Sequence, residues 1–138
     1  MNVIGIGTEI VECLRIAQMI ERHEDSFLRR VFTQKEVEFC SARGLASQHF
    51  AARWAGKLAV LKALGSSPGG LRDWRDVELR PETGNQVSVA LAGEPREACM
   101  NRQIAKVMVD LAHCRSHASA FAIAFGSDVS DTLDLAEL

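Results

Sequence analysis

Apolar residues along the chain recur at two periods, and the change from one to the other divides the sequence into elements. Residues 2–8 carry Val3, Ile4 and Ile6 and read as a strand, with Gly5 and Gly7 leaving room for another backbone or a ligand. From residue 10 to about 22, Ile10, Leu14, Ala17 and Ile20 return every three or four positions, which predicts an amphipathic helix. Asp25 suits the cap of a short turn holding Phe27, Leu28 and Val31. Thr33-Gln-Lys-Glu36 is a capping-box pattern opening a helix through Val37, Phe39 and Cys40 that Gly44 ends. Ser47 is the expected cap of the next helix, which Gly65 stops. Beyond it, residues 74–80 and 86–91 are strand-like runs about a turn-rich connection, a hairpin. A short helix over 94–102 has Pro95 at its first position. Residues 107–111 and 119–125 are two more strands, paired through a turn near Arg115. The sum is an α+β domain with helices on one side of a small antiparallel sheet.

The helix after Ser47 is the odd one. Phe50, Trp54, Leu58 and Leu61 project as a bulky face, and Ala52, Gly56, Ala59 and Ala63 as a thin one, so it is apolar nearly all round and should be buried. Arg53, Lys57 and Lys62 sit on it nevertheless. Buried cations persist only when paired or hydrogen-bonded. Either Glu9, Glu12 or another carboxylate of the chain meets them, or the anion is a ligand, with phosphate the leading kind. The Gly- and Ser-rich stretch from Gly65 and Ser66 to Gly70 is of a type whose backbone N–H groups cradle phosphate, although no Gly-x-x-x-x-Gly-Lys-[Ser/Thr] spacing occurs.

With 138 residues the chain is sized for one domain, and 47% hydrophobic with 25% charged residues is the make-up of an ordinary soluble protein. The net charge of −2 is uneven: residues 127–138 hold four acids and no base, which leaves 16 bases against 14 acids in the rest. Residues 1–126 are therefore taken as the domain and 127–138 as an acidic, disordered tail. So small a balance, without tyrosine, argues against nucleic acid as a partner. No apolar run suits a membrane span and no basic region leads into a secretory signal, which points to the cytoplasm. Cys13, Cys40, Cys99 and Cys114 are scattered, with no Cys-x-x-Cys pair, and read as reduced.

His113-Cys-Arg-Ser-His117 gathers reactive side chains, but on an extended chain a separation of four residues is about 13 Å, too far for two histidines to share a metal. Glu9 and Glu12, at a strand-to-helix junction, suit either a helix N-terminus or magnesium, which one or two carboxylates hold together with water and phosphate oxygens. Arg15, Gln18 and Arg22 form a basic stripe that is either solvated or a docking edge.

Three segments in this order, Gly5-Ile-Gly-Thr-Glu-Ile-Val-Glu12 followed by Arg15, Arg53-Trp-Ala-Gly-Lys-Leu-Ala-Val-Leu-Lys-Ala-Leu-Gly65, and Val109-Asp-Leu-Ala-His113, resemble the holo-acyl-carrier-protein synthases, the small bacterial branch of the 4′-phosphopantetheinyl transferases. The likeness implies Mg2+-dependent transfer of the phosphopantetheine arm of coenzyme A to a serine of apo acyl carrier protein, feeding fatty acid biosynthesis, by a homotrimer with sites between protomers. It assigns Arg53, Lys57, Lys62, Gly65, Ser66 and His113 to the coenzyme, Lys62 and His113 to catalysis, Glu9 to the metal, and Arg15 and Arg22 to carrier-protein docking. It also marks a departure. Leu58 stands where the family has a second metal-binding glutamate, so the resemblance implies weakened magnesium binding and impaired transfer. The rivals are a silent module that binds coenzyme A or carrier protein, and an α+β protein whose cations pair internally.

Overall fold

The computed structural model describes residues 2–67, 69, 71–83 and 86–127. Beyond Ser127, the tail assigned to 127–138 lies outside the described residues. Strand β1 (Asn2–Glu12) leads into helices α1 (Cys13–His23), α2 (Asp25–Val31), α3 (Gln34–Ser41) and α4 (Ala46–Ala63). A 3-10 turn (Trp74–Asp76), the hairpin β2 (Val77–Pro81) and β3 (Val87–Leu91), helix α5 (Gly93–Asn101) and the hairpin β4 (Ile104–His113) and β5 (His117–Gly126) complete it. The antiparallel pairing is divided between two sheets, β1-β5-β4 and β2-β3.

Strand β1 runs past residue 8, where the sequence pattern ended it, because Ile10, Val11 and Glu12 pair with Ser119, Ala118 and His117 of β5. The β-branched Ile10 and Val11 satisfy strand period as well as helical period, and a ladder partner decides between them. The helix expected from residue 10 accordingly begins at Cys13. Helix α3 does carry the capping box: the Glu36 N–H donates to Thr33 Oγ1 at 3.3 Å and the Thr33 N–H to Glu36 Oε1 at 2.9 Å. It ends at Ser41, with Ala42 rather than Gly44 at its C-cap.

Ser47 does not cap α4. Leu45 does, in the left-handed region at φ 78° and with no side-chain hydrogen bond, so Ser47 falls inside the first turn. At the other end Gly65 takes φ +75° and the Ser66 N–H donates to the Leu61 carbonyl at 2.9 Å, the Schellman arrangement expected of that glycine. The thin face of α4 lies on the three-stranded sheet against Ala118, Ala120, Ala122 and Ala124 of β5, all buried. A Cβ on Gly5 or Gly7 would strike the carbonyl oxygens of Ala63 and Ala59, so the close approach those glycines permit is that of the α4 backbone. The bulky face meets the other helices. Trp54 stacks on Trp74 with centroids 4.8 Å apart, and Phe50 lies 5.1 Å from Phe32. No helix among the described residues is long and apolar enough to cross a membrane.

Candidate functional site

Lys57 is completely buried, and its ammonium finds its anion inside the protein. The amine donates to Glu36 Oε1 at 2.9 Å, to the Trp74 carbonyl at 3.2 Å and to the Val77 carbonyl. An ammonium has three donors, and all three are used. Glu36 in turn accepts from Thr33 N and Lys57 on Oε1 and from Leu79 N at 3.0 Å on Oε2. Burial pulls the Lys57 pKa down, and the Glu36 carboxylate beside it works in the opposite direction. The coenzyme role expected of Lys57 is therefore corrected: it joins α3, α4 and β2, and no donor remains for a phosphate.

Arg53, one turn earlier, is different. It is 3% exposed, and its Nε is a buried donor without a hydrogen-bond partner. Among the described residues no carboxylate pairs with it. Its guanidinium carbon lies 4.1 Å from the Phe39 ring centroid, and that of Arg43 lies 3.5 Å from the same centroid. Phe39 and Arg43 join His49, Arg53, Gln86, Leu111 and His113 around a cleft of about 340 Å³. The His49 and His113 rings stand edge to face with centroids 4.8 Å apart. Burial first, and then His113, Arg53 and Arg43, push the pKa of His49 below its ordinary 6.5. Two guanidinium groups and two imidazoles converge here with no acid in the lining among the described residues, which is the composition of an anion site.

Lys62 and Glu9 occupy a neighbouring cleft of about 570 Å³, which also includes Thr8, Asp110 and Phe121 and shares Leu111 and Ala112 with the first. The Lys62 amine lies 3.0 Å from Glu9 Oε2 and donates to the Thr8 carbonyl at 3.0 Å. Glu9 Oε1 accepts the Ile10 N–H. At 47% side-chain exposure Lys62 is in a weak pair that an incoming anion can exchange. Gly65 and Ser66 are not part of either cleft. Gly65 faces the Arg102 guanidinium, and Ser66 lines a separate hollow with Ser67, Leu71 and Glu94. Arg15 and Arg22 are exposed on α1, in no ion pair among the described residues.

No group of three or more His, Cys, Asp or Glu suited to a metal occurs among the described residues. Leu58 brings only methyl groups to its position, leaving Glu9 as the one carboxylate of the expected metal set. That donor set still fits magnesium, whose remaining ligands are commonly water and substrate phosphates. Sequence reasoning passed over His49, Arg43 and Phe39. The signal available was His49 at the head of the cationic helix, one turn before Arg53.

The comparisons with known proteins agree with this geometry. Residues 5–125 match the family model described as the 4′-phosphopantetheinyl transferase superfamily. A holo-[acyl-carrier-protein] synthase of Rhodopirellula baltica is 38% identical over 123 residues, covering 89% of this chain and 98% of that one. The crystal structure of the Plasmodium yoelii holo-ACP synthase superposes with a TM-score of 0.78 at 25% identity, covering 92% of this chain and 98% of its own. The Helicobacter pylori holo-[acyl-carrier-protein] synthase in complex with coenzyme A has the same fold, with a TM-score of 0.76 at 24% identity over 87% of this chain and 99% of that one. The chain belongs to the 4′-phosphopantetheinyl transferase superfamily, among its holo-[acyl-carrier-protein] synthases.

Proposed function

We propose that the protein transfers 4′-phosphopantetheine from coenzyme A to a serine of apo acyl carrier protein, supplying fatty acid biosynthesis in the cytoplasm. The observation that carries this reading is Arg53, which no carboxylate among the described residues pairs, whose Nε is buried without a partner, and which lines a cleft with Arg43, His49 and His113. A coenzyme phosphate is the anion that Arg53, Arg43, His49 and His113 lack. Lys62, held only by an exchangeable pair, turns to the pyrophosphate and neutralises charge that grows on it as the bond to phosphorus breaks. The serine oxygen of the carrier forms the new bond to phosphorus, its proton passes to water, and adenosine 3′,5′-bisphosphate leaves. Magnesium, when bound at Glu9, would supply further neutralisation of the pyrophosphate. His113 orients the coenzyme, and Arg15 and Arg22 meet the acidic carrier across the exposed side of α1.

A homotrimer suits the outward face of the three-stranded sheet. Ile6, Met108 and Phe121 are exposed there by 56%, 51% and 43%, a patch that calls for cover by other protomers.

Mass spectrometry of apo acyl carrier protein incubated with coenzyme A, magnesium and this protein tests the reading. The expected product is a phosphopantetheine adduct that does not form when chelator is present from the start. A rise in thermal midpoint with coenzyme A but no adduct at any magnesium concentration would instead leave a binding module. Leu58→Glu, which restores a second carboxylate, should lower the magnesium concentration needed for half-maximal transfer; an unchanged titration would remove Leu58 from the metal argument.

A further inference from the structure

At the far end of β1 from its first residue, two cysteines meet on elements a hundred residues apart in sequence. Cys13 opens α1, and its N–H donates to the Ser116 carbonyl at 2.8 Å, which holds it over the turn between β4 and β5. Its Sγ lies 3.9 Å from the carbonyl oxygen of Cys114. Cys114 is exposed and its N–H donates to the His117 carbonyl at 2.8 Å, closing the turn. The Cys114 Sγ lies 3.6 Å from Ser116 Oγ, which is itself 2.9 Å from His117 Nδ1. Cys13 is 4% exposed. One thiol is therefore open to solvent in a polar surrounding, and the other is buried against the backbone of the same residue.

We propose that Cys13 and Cys114 form a reversible disulfide by exchange with a low-molecular-weight disulfide of the glutathione type, with Cys114 attacking first and Cys13 resolving. The Cys114 thiolate attacks one sulfur of the small disulfide; that S–S bond breaks and one thiolate leaves, taking up a proton from solvent. Cys13, giving its proton to the departing group, then attacks the Cys114 sulfur and releases the second small thiol. The protein loses two electrons and two protons, and one small disulfide becomes two thiols. Hydrogen bonds from Ser116 and the turn hold the Cys114 pKa below its usual value, while burial raises that of Cys13, which matches an attacking and a resolving role. Cys40 is fully buried with its pKa pushed up to about 12, and it takes no part. The bond would tie the start of α1 to the turn that follows His113.

The test equilibrates the full chain with glutathione at stepped ratios of disulfide to thiol, quenches with iodoacetamide and reads intact and peptide masses. The expected result is a species carrying two fewer carbamidomethyl groups than the reduced protein, a cross-linked peptide pair containing Cys13 and Cys114, and recovery with dithiothreitol. Cys13→Ser should stop at a glutathione adduct on Cys114, and Cys114→Ser should give no cross-link and no adduct on Cys13. A wild-type protein that ends as a stable Cys114 adduct with Cys13 alkylated, or whose two thiols both remain alkylatable at the most oxidising ratio, would overturn the proposal.

Discussion

Arg53 and Lys57 stand one turn apart on α4, both cationic and both out of water, yet the protein treats them in opposite ways. Lys57 has three donors and three acceptors, one of them the carboxylate of Glu36. Arg53 has the π faces of Phe39 and an open cleft, and its Nε is unpaired. A buried charge whose valences are all used holds a fold together. One left incomplete beside a cavity is a receptor for something outside the chain. The contrast divides the three cations of this helix by task, which their shared residue type and shared helix conceal.

Removing the anion from the completed site should have the largest effect. Glu36→Ala strands a fully buried ammonium and frees the N–H groups of Thr33 and Leu79, and breaking such a pair costs about 3–5 kcal/mol. That is comparable with the whole stability margin of a domain. Urea unfolding should show it, and the double variant Glu36→Gln with Lys57→Met should recover much of the loss, because no charge is then left alone. If Glu36→Ala unfolds at the wild-type midpoint, Lys57 has some other partner and the contrast fails.

Arg53→Met tests the other half. A methionine keeps much of the packing against Phe39 and removes a charge the protein does not pair, so thermal stability should stay level or rise slightly. Coenzyme A affinity measured by calorimetry should fall about ten- to a hundredfold, the worth of a hydrogen bond to a charged group. A variant that loses stability while holding the coenzyme as well as the wild type would make Arg53 a second structural cation.

How far this division was legible beforehand depends on which interactions are local. The capping box of Thr33 and Glu36 spans one helical turn, and the hairpins follow from turn residues and alternation; these are readable, except that residues 74–76, expected to open the strand, form a 3-10 turn. The thin and bulky faces of α4 were readable too, since one element carries the whole pattern. That Glu36 rather than Glu9 or Glu12 meets Lys57 was not, because the partners are 21 residues apart and a capping-box glutamate gives no local sign of burial. The length of β1 was hidden for a similar reason: Ile10 and Val11 suit either period, and β5, over a hundred residues away, settles the matter. Ser47 looked like a cap from its residue type, but the left-handed turn at Leu45 starts the helix earlier. In the cleft, Arg53 and His113 were visible as residues, while Arg43 and His49 joined them only once α3, α4 and β4 had packed.

The smallest effect probes the open site of Arg53 through pH. His49 has its pKa lowered from 6.5, by burial and then by the neighbouring His113, Arg53 and Arg43. Without ligand, the neutral ring therefore favours the folded state above pH 6.5, and that contribution is lost as pH falls through the lowered value. An anion among these groups reverses the balance, since imidazolium is now attracted, and binding takes up a proton. Coenzyme A affinity should accordingly rise severalfold as pH falls from 6.5 toward the depressed value and then level off, while the free protein loses stability over the same interval. The coenzyme's own phosphate monoester titrates near pH 6 and works against this. His49→Gln carries the ligand's share alone, and the difference between the two proteins belongs to His49. Calorimetry in buffers of unlike ionisation enthalpy should find proton uptake in the wild type that His49→Gln lacks. Arg53→Met should retain part of that uptake, because Arg43 and His113 remain to depress the free ring. If wild type and His49→Gln follow one affinity curve across the interval, the ligand's charge does not reach this imidazole, and the anion sits nearer to Arg43 than the cleft's lining implies.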